Sequence, residues 1–168
     1  KRTMKYILID KIQSIEPGKS IVATKNLTLA EEYLQDHFPS FPVIPGVLML
    51  EGMIQSAAWL VRLEQNFEHS IVVLKAAKNV KYSYFLRPGC TMRYEVQLMK
   101  IDGEVAKFKA SGYVGDRLAV SARLELMWQN LAEKGQWGAD ADKRVLQQVK
   151  KTWDLVGGPQ ALEAATEA

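Results

Sequence analysis

The sequence predicts an α+β protein in which a strongly twisted antiparallel sheet packs against one apolar helix. Three observations lead to this prediction. Apolar and polar residues alternate in several runs of the second half of the chain, as they do in half-buried strands. Turn signals built on glycine separate these runs. One long apolar stretch near the middle of the chain has the composition of a buried helix.

Most strand signals lie in the second half of the chain. Asp102-Gly103 is a strong hairpin turn, and Gly115-Asp116 marks a further turn. The longest alternation places six apolar residues at every second position from Leu118 to Trp128. The strands predicted after the long helix span residues 69–76, 80–85, 92–98, 104–114 and 118–128.

The first half leads from a strand into a helix. Residues 20–28 favour a strand that follows a turn at residues 16–19, and residues 29–35 form a short helical or looping link. Three prolines exclude a helix from the loop of residues 37–46, and each proline pushes its predecessor towards extended geometry. The long helix is therefore predicted to begin immediately after Gly46.

This helix is apolar almost all round, apart from one narrow polar stripe. Glu51, Gln55 and Arg62 fall within about 40° of one another on a helical wheel, with apolar residues over most of the remaining surface. A helix of this kind is surrounded by protein. The polar stripe is the feature that needs a functional explanation.

The composition changes beyond Asn130, where glycines punctuate a segment of helical character. The chain is interpreted as a core domain of residues 1–130 followed by a helical extension of residues 131–168. Apolar residues recur at near-helical spacing over residues 141–155, which predicts one amphipathic helix packed on the sheet or on a neighbouring subunit. Residues 161–168 are expected to fray.

Composition and charge exclude several classes of protein. The chain has 168 residues, of which 48% are apolar, so it can bury a sizeable core. Its net charge of +3 is small and scattered, so no nucleic-acid partner is expected. The longest apolar stretch, residues 43–61, contains Pro45 and is too short for a bilayer core, so no membrane span is expected. Cys90 is the single cysteine, which fits a reducing compartment and predicts a cytoplasmic location.

His37 is the histidine that the sequence places in a chemical context. His69 has no evident partner in the sequence and is interpreted as a surface or core residue. The stiff loop after His37 holds its imidazole in place and leads into the N-terminus of the long helix. The free amides of Gly46 and Val47 at that terminus can donate to an oxygen that develops negative charge. Gly46 also lets a ligand approach the backbone closely.

Glu51 lies one turn into the same helix and is expected to be largely buried. Burial would raise the pKa of this carboxyl and favour its protonated form. Gln55, one turn further on, is placed to hydrogen-bond and orient it; an ion pair with Arg62 or a partly solvated helix edge is an open alternative. A base, an oxyanion donor and an acid together suit removal of a proton beside a carbonyl and loss of a hydroxyl from the next carbon.

The run from His37 to Gln55 closely resembles the signature of the bacterial 3-hydroxyacyl-[acyl-carrier-protein] dehydratases. The resemblance covers roughly residues 5–128 and includes further matching segments at residues 8–11, 16–19, 79–82 and 87–89. It implies a hotdog fold, in which the sheet wraps a long central helix. It also implies a homodimer as the minimum active unit, with a hexamer built as a trimer of dimers as a further possibility.

The resemblance also assigns roles to individual residues. His37 matches the catalytic histidine of the family and Glu51 its catalytic acid. Gly46 matches the glycine whose amide contacts the thioester carbonyl, and Gln55 matches the helix glutamine near the acid. In such dimers the histidine and the acid of one site come from different subunits. Glutamate at position 51, where isomerising members usually have aspartate, makes the chain similar to the plain dehydratases.

The resemblance further implies a substrate and a partner. The reaction needs no metal or redox cofactor, and no nucleotide-binding motif is present in the sequence. The acyl group is expected on the phosphopantetheine arm of an acidic acyl carrier protein, in fatty acid biosynthesis. The candidate cations for docking that carrier are Lys78, Lys81, Arg87 and Arg93.

Several residues depart from the family pattern, namely Ser40, Phe41, Gly52, Lys78 and Cys90. None of these changes removes a catalytic group, but Phe41 and Trp59 are bulky enough to narrow or redirect an acyl tunnel. The C-terminal helix is an addition that caps the tunnel, joins dimers or simply packs on the domain. Three alternative functions stay open: a hotdog acyl thioesterase, a non-catalytic acyl-binding or partner subunit, and a dehydratase of a specialised polyketide or lipid pathway.

Overall fold

The computed structural model describes residues 6–135 and 138–167. Within these ranges the chain forms six β-strands, four α-helices and a short 3-10 turn at Leu131–Lys134. The strands are β1 (Lys11–Glu16), β2 (Ser20–Asn26), β3 (Ile71–Tyr82), β4 (Thr91–Asp102), β5 (Val105–Val114) and β6 (Arg117–Gln129). The helices are α1 (Tyr33–Asp36), α2 (Gly46–Glu64), α3 (Ala139–Leu155) and α4 (Gly158–Thr166).

The six strands form one antiparallel sheet in the order β1-β2-β4-β5-β6-β3. The β4–β5 and β5–β6 connections are tight hairpins, and Gly103 and Gly115 supply the left-handed backbone conformation that their turns require, with φ of 61° and 58°. Strands β1 and β3 are the edges. The predicted α+β class with an antiparallel sheet is confirmed.

Helix α2 lies against one face of this sheet. Its buried side presents Met53, Ala57 and Leu60 to the sheet, where Tyr94 and Phe108 are among the largest fully buried side chains. The opposite side of α2 carries the polar stripe. Burial of these apolar side chains is the main stabilising contribution to the fold, and the sheet that wraps a central helix is the hotdog arrangement.

Two strands differ from the prediction for the same physical reason. One continuous strand, β3, replaces the two strands predicted at residues 69–76 and 80–85, because two bulges and the left-handed Asn79 (φ 53°) absorb the irregular pattern. Strand β1 was not predicted, since its buried residues Ile12 and Ile15 are three positions apart. A bulge after Ile12 brings both side chains to the buried face.

The C-terminal segment folds back onto the sheet and α2. The expectation that residues 161–168 fray is wrong for the part described, because α4 packs on β1 and buries Ala161. The Val156 carbonyl, between α3 and α4, accepts a hydrogen bond from the Ile12 amide at 2.8 Å. Residue 168 lies outside the described residues. Among the described helices, none has both the length and the apolar character that crossing a membrane requires.

Candidate active site

The loop before α2 holds His37 in a defined position. His37 caps the C-terminus of α1, and its amide donates to the Tyr33 carbonyl at 3.1 Å. The next residue, Phe38, has φ of 48°, a conformation that non-glycine residues adopt rarely. This backbone turn brings the Phe38 ring and the imidazole into an edge-to-face arrangement, with 4.5 Å between ring centroids. The imidazole is therefore positioned by both backbone and side-chain contacts.

A charged cluster holds the segment just before α1. Lys25 of β2 is almost fully buried, and its Nζ donates to Glu31 Oε1 at 2.6 Å and to Asp10 Oδ1 at 3.3 Å. Burial alone would lower the pKa of Lys25, but the hydrogen bond to Glu31 and the charges of Asp10 and Glu31 outweigh it and hold the pKa above its ordinary value of 10.5. The pair with Glu31 ties the segment before α1 to the sheet.

Gly46 and Val47 open helix α2, as predicted. The amides of the first turn have no earlier carbonyl within the helix to bond, and the Leu48 and Met49 amides bond back to the Pro45 carbonyl at 2.9 and 3.3 Å. Gly46 packs beneath the ring of Tyr82, which lies 3.0 Å from the position that a Cβ would take. A side chain at position 46 would therefore crowd the Tyr82 ring.

Gln55 orients Glu51, as predicted, and also ties α2 to the N-terminal segment. Its Nε2 donates to Glu51 Oε1 at 3.0 Å and to the Tyr6 carbonyl at 2.9 Å. Its Oε1 accepts a hydrogen bond from the Leu8 amide at 3.0 Å. The side-chain amide of Gln55 is thus held on three sides, which fixes the carboxylate of Glu51. Glu51 is only partly buried in the single chain, so the expectation that it is largely buried is not met.

The polar stripe of α2 faces a cavity of about 660 Å³. Glu51, Gln55 and Arg62 all line it, together with Ile54, Ala58 and Trp59 from the same helix. Arg62 forms no ion pair with Glu51 among the described residues; its guanidinium donates to the His69 carbonyl at 3.3 Å. The stripe therefore serves as one wall of a cavity.

His37 lines a different cleft. That cleft is open to solvent and is bounded by residues of α1 and by Pro45. Tyr6 lines both the cleft of His37 and the cavity of Glu51, and it is the residue that the two have in common. In the described part of a single chain, neither of these two spaces is lined by both His37 and Glu51. The predicted base and acid of one chain therefore line two spaces that meet at Tyr6.

The candidate docking cations fall into two groups. Lys78 pairs with Glu125 at 2.7 Å, and Arg93 pairs with Glu95 at 2.9 Å. Arg87 is exposed and stacks over Phe41 of the His37 loop, 4.8 Å from the ring centroid. Lys81 is also exposed, near the end of β3.

His69 lies beyond the C-terminus of α2, next to the sheet. Its ring centroid is 6.4 Å from that of Trp128, and its Nδ1 is buried without a hydrogen-bond partner among the described residues. His69 lines neither the cavity of Glu51 nor the cleft of His37.

Sequence reasoning did not identify the far wall of the Glu51 cavity. Residues of α3, including Arg144, Val145 and Val149, and residues of the N-terminal segment, including Tyr6 and Ile7, complete the lining. The apolar spacing of Val145 and Val149 was a signal for a helix with a buried face. That spacing alone does not reveal that the face borders a cavity.

The comparisons with known proteins agree with the motif. A family described as the FabA-like domain matches residues 2–123. Relatives named 3-hydroxyacyl-[acyl-carrier-protein] dehydratase FabZ include that of Clostridium kluyveri, 37% identical over 122 residues, which are 73% of this chain and 85% of the relative. The Levilactobacillus brevis protein of the same name is 36% identical over 118 residues, covering 70% of this chain and 80% of its own length.

Solved structures match the fold at low sequence identity. The dehydratase heterocomplex ApeI:P from Xenorhabdus doucetiae matches with a TM-score of 0.64 and 16% identity over 77% of this chain and 88% of that one. The smu.793 protein of Streptococcus mutans bound to acetyl CoA matches with a TM-score of 0.58 and 12% identity over 76% of this chain and 94% of that one. These likenesses confirm the hotdog fold, and the sequence matches show that the chain belongs to the FabA-like family.

Proposed function

We propose that this protein is a 3-hydroxyacyl-[acyl-carrier-protein] dehydratase of fatty acid biosynthesis, with His37 as the base and Glu51 as the acid. The observation that carries the proposal is the environment of Glu51. Its carboxylate is held by Gln55 at the wall of a cavity whose remaining lining is largely apolar. An acid fixed beside apolar walls suits a substrate that carries a hydroxyl on an acyl chain.

The reaction divides into two proton transfers. His37 removes a proton from C2 of the thioester, and the electron pair left on C2 forms the C2–C3 double bond. The C3–O bond breaks as Glu51 gives its proton to the departing hydroxyl, which leaves as water. The products are a trans-2-enoyl thioester and water, and solvent returns the proton from His37 to Glu51.

The first turn of α2 supports the charge that develops on the thioester. Removal of the C2 proton places negative charge on the carbonyl oxygen, and the amides of Gly46 and Val47 are available to donate to it. The positive end of the α2 dipole adds to this stabilisation. Val47 is 67% exposed, so the terminus is open to a substrate that arrives from outside the chain.

The complete site is proposed to form between two copies of the chain. The separation of His37 and Glu51 into a cleft and a cavity supports this arrangement, since acid and base must reach adjacent carbons of one substrate. In a homodimer, His37 of one chain would act with Glu51 of the other. Assembly into a trimer of dimers is a further expectation of the family resemblance.

The substrate is proposed to arrive on the phosphopantetheine arm of an acyl carrier protein. The names of the FabZ relatives support this carrier. Arg87, which is exposed and stacks over Phe41 of the His37 loop, and Lys81, which is exposed near the end of β3, are the proposed docking cations. Glutamate at position 51 favours dehydration without isomerisation, and the proposed chemistry uses the chain's own residues without a cofactor.

Mass spectrometry of a 3-hydroxyacyl-carrier-protein incubated with the protein tests the function. Loss of one water from the acyl group is the expected result. Release of the free acid would instead identify a thioesterase. An unchanged acyl group at several chain lengths, both in this direction and in hydration of the enoyl product, would overturn the proposed dehydratase.

Mixing two inactive variants tests the shared site. His37→Ala and Glu51→Gln each remove one catalytic group from every site of a homodimer. In a mixed dimer, one of the two sites then has both groups intact if they come from different chains. Activity that returns on unfolding and refolding the mixture supports the shared site, and a mixture that stays inactive despite exchange of subunits contradicts it.

A further inference from the structure

Helix α3 forms one wall of the cavity that contains Glu51. Six lining residues belong to α3 or to its C-terminal cap: Arg144, Val145, Gln148, Val149, Thr152 and Val156. The FabA-like match ends at residue 123, so this wall lies outside the part of the chain that carries the family likeness. The cavity is therefore bounded in part by a segment that the matched family domain does not contain.

The opposite wall runs along α2 from Glu51 to Arg62. These residues are 62 − 51 = 11 positions apart, which corresponds to about 16 Å at about 1.5 Å per residue. Ile54, Ala58 and Trp59 supply the apolar surface between them. An acyl chain whose C3 hydroxyl lies at Glu51 has this surface beside it, and Val145 and Val149 line the cavity from the side of α3.

Helix α3 is fixed at both ends. Near its start, Asp142 accepts hydrogen bonds from Ser70 and from the Leu131 amide, the latter at 2.7 Å. Near its end, Trp153 packs on Trp59 of α2 with 5.3 Å between ring centroids. A wall held in this way keeps its distance from α2 and can discriminate between ligands by size.

We propose that α3 sets the length of acyl chain that the site accepts, with Val149 as the main determinant and Val145 in support. The inference rests on the proposed function, because it takes the substrate to be a 3-hydroxyacyl thioester with its reacting carbons at Glu51. A cavity of about 660 Å³ lies in the size range of sites for drug-sized ligands. It suits an unbranched acyl chain of medium length better than a four-carbon one.

Substitution of Val149 by a larger residue tests the proposal. In Val149→Trp, kcat/KM for 3-hydroxydecanoyl pantetheine should fall about 10- to 100-fold relative to that for 3-hydroxybutyryl pantetheine. Val149→Ala should shift the preference towards chains longer than decanoyl. Leu155→Trp is the matched control, since it places the same tryptophan on α3 at a position that is 76% exposed and outside the cavity.

A binding measurement separates this inference from the proposed function. The affinity for decanoyl pantetheine, which cannot be dehydrated, is measured by calorimetry for wild type, Val149→Trp and Leu155→Trp. Weaker binding in Val149→Trp alone supports the acyl wall, even if no substrate is turned over. Equal losses of kcat/KM for butyryl and decanoyl substrates, or unchanged decanoyl binding in Val149→Trp, would overturn it while leaving the dehydratase assignment in place.

Discussion

The ring of Tyr94 in β4 fills the space beside Gly52 of α2 that a side-chain carbon at position 52 would need. Tyr94 is fully buried, so its ring cannot swing into solvent to make room. This contact accounts for the glycine at position 52, which is one of the departures from the family pattern. The Tyr94 ring of the sheet occupies the space that is free because Gly52 of the helix has no side chain.

Gly52→Ala is therefore expected to destabilise the fold. Alanine in a helix interior favours folding by about 0.5–1 kcal/mol over glycine, but overpacking against a buried ring costs about 1–3 kcal/mol. The cost of overpacking should exceed the gain in helix propensity. The free energy of unfolding, measured by chemical denaturation, should therefore be lower for Gly52→Ala than for wild type. In a Tyr94→Leu background the same substitution should cost much less, and an equal cost in both backgrounds would show that the Tyr94 ring is not the cause.

Gln55→Leu should reduce turnover more than substrate binding. The substitution removes the hydrogen bond to Glu51 and the two bonds to the backbone of Tyr6 and Leu8. A carboxylate that loses its orientation is expected to lower kcat by up to about 10²-fold, with a smaller change in KM. Steady-state kinetics beside a thermal unfolding curve provide the measurement. Loss of stability with an unchanged kcat would assign Gln55 a structural role only.

Lys25→Met should destabilise the protein by about 1–3 kcal/mol, because it leaves the carboxylates of Asp10 and Glu31 without their cation. The partial exposure of both carboxylates limits the cost. Lys19→Met is the matched control, since it breaks an exposed pair with Glu16 and should cost little.

Because the pKa of Lys25 is raised, the stability that Lys25 contributes should depend on pH in the alkaline range. A raised pKa contributes stability that is complete below the ordinary value of 10.5 and is lost as the pH rises through the folded-state value. The difference in free energy of unfolding between wild type and Lys25→Met should therefore shrink as the pH is raised above about 10.5. A difference that stays constant to higher pH would contradict the pairing.

Asp142→Asn should loosen α3 at neutral pH but not in strong acid. The hydrogen bond from Ser70 holds the pKa of Asp142 below its ordinary value of 3.8, and the Leu131 and Ala132 amides add to the effect. A lowered pKa contributes stability above the ordinary value, and this contribution is lost as the pH falls through the folded-state value. The thermal midpoints of wild type and variant should therefore converge below about pH 4.

Asp140→Asn is the matched control for that series. Asp140 lies in the same first turn of α3 as Asp142, and its side chain is exposed. Its thermal midpoint should stay close to that of wild type across the pH range. If Asp140→Asn lowers the midpoint as much as Asp142→Asn, general helix-terminus electrostatics would replace the specific contacts of Asp142 as the explanation.

Reversing the charges of Lys81 and Arg87 should separate carrier-bound from free substrates. The double Lys81→Glu, Arg87→Glu variant is expected to lose kcat/KM on acyl-carrier-protein substrates while it keeps activity on short pantetheine thioesters. The loss should shrink as salt is raised, because exposed charges are screened. Lys143→Glu is the control, because it reverses the charge of an exposed lysine on α3. Equal losses on both kinds of substrate would contradict docking at these cations.

Local patterns predicted most of the fold. The alternation from Leu118 to Trp128 and the glycine turns beside it identify hairpins whose register the buried face then determines. Strand β1 and the continuity of β3 were missed because bulges break the two-residue period, and a bulge depends on the partner strand as well as on the strand's own sequence. The packing of α4 depends on tertiary contacts that no local pattern contains.

The candidate site was predictable residue by residue but not as an assembled unit. The motif predicted that Gln55 would contact Glu51, because four positions along a helix place two side chains on one face. That His37 and Glu51 line different spaces could not follow from their spacing in the sequence, since it depends on how the loop and α1 pack on the rest of the chain. The sequence predicted helix α3 from its apolar spacing. It did not predict that α3 borders the cavity of Glu51, because that depends on tertiary packing.

Turnover of a 3-hydroxyacyl-carrier-protein by wild type, His37→Ala and Glu51→Gln tests the central claim most directly. Mass spectrometry should show loss of one water with wild type and no loss with either variant, while thermal unfolding shows that all three are folded. Dehydration that persists in a folded His37→Ala or Glu51→Gln variant at the wild-type rate would contradict the assignment of that residue to the chemistry.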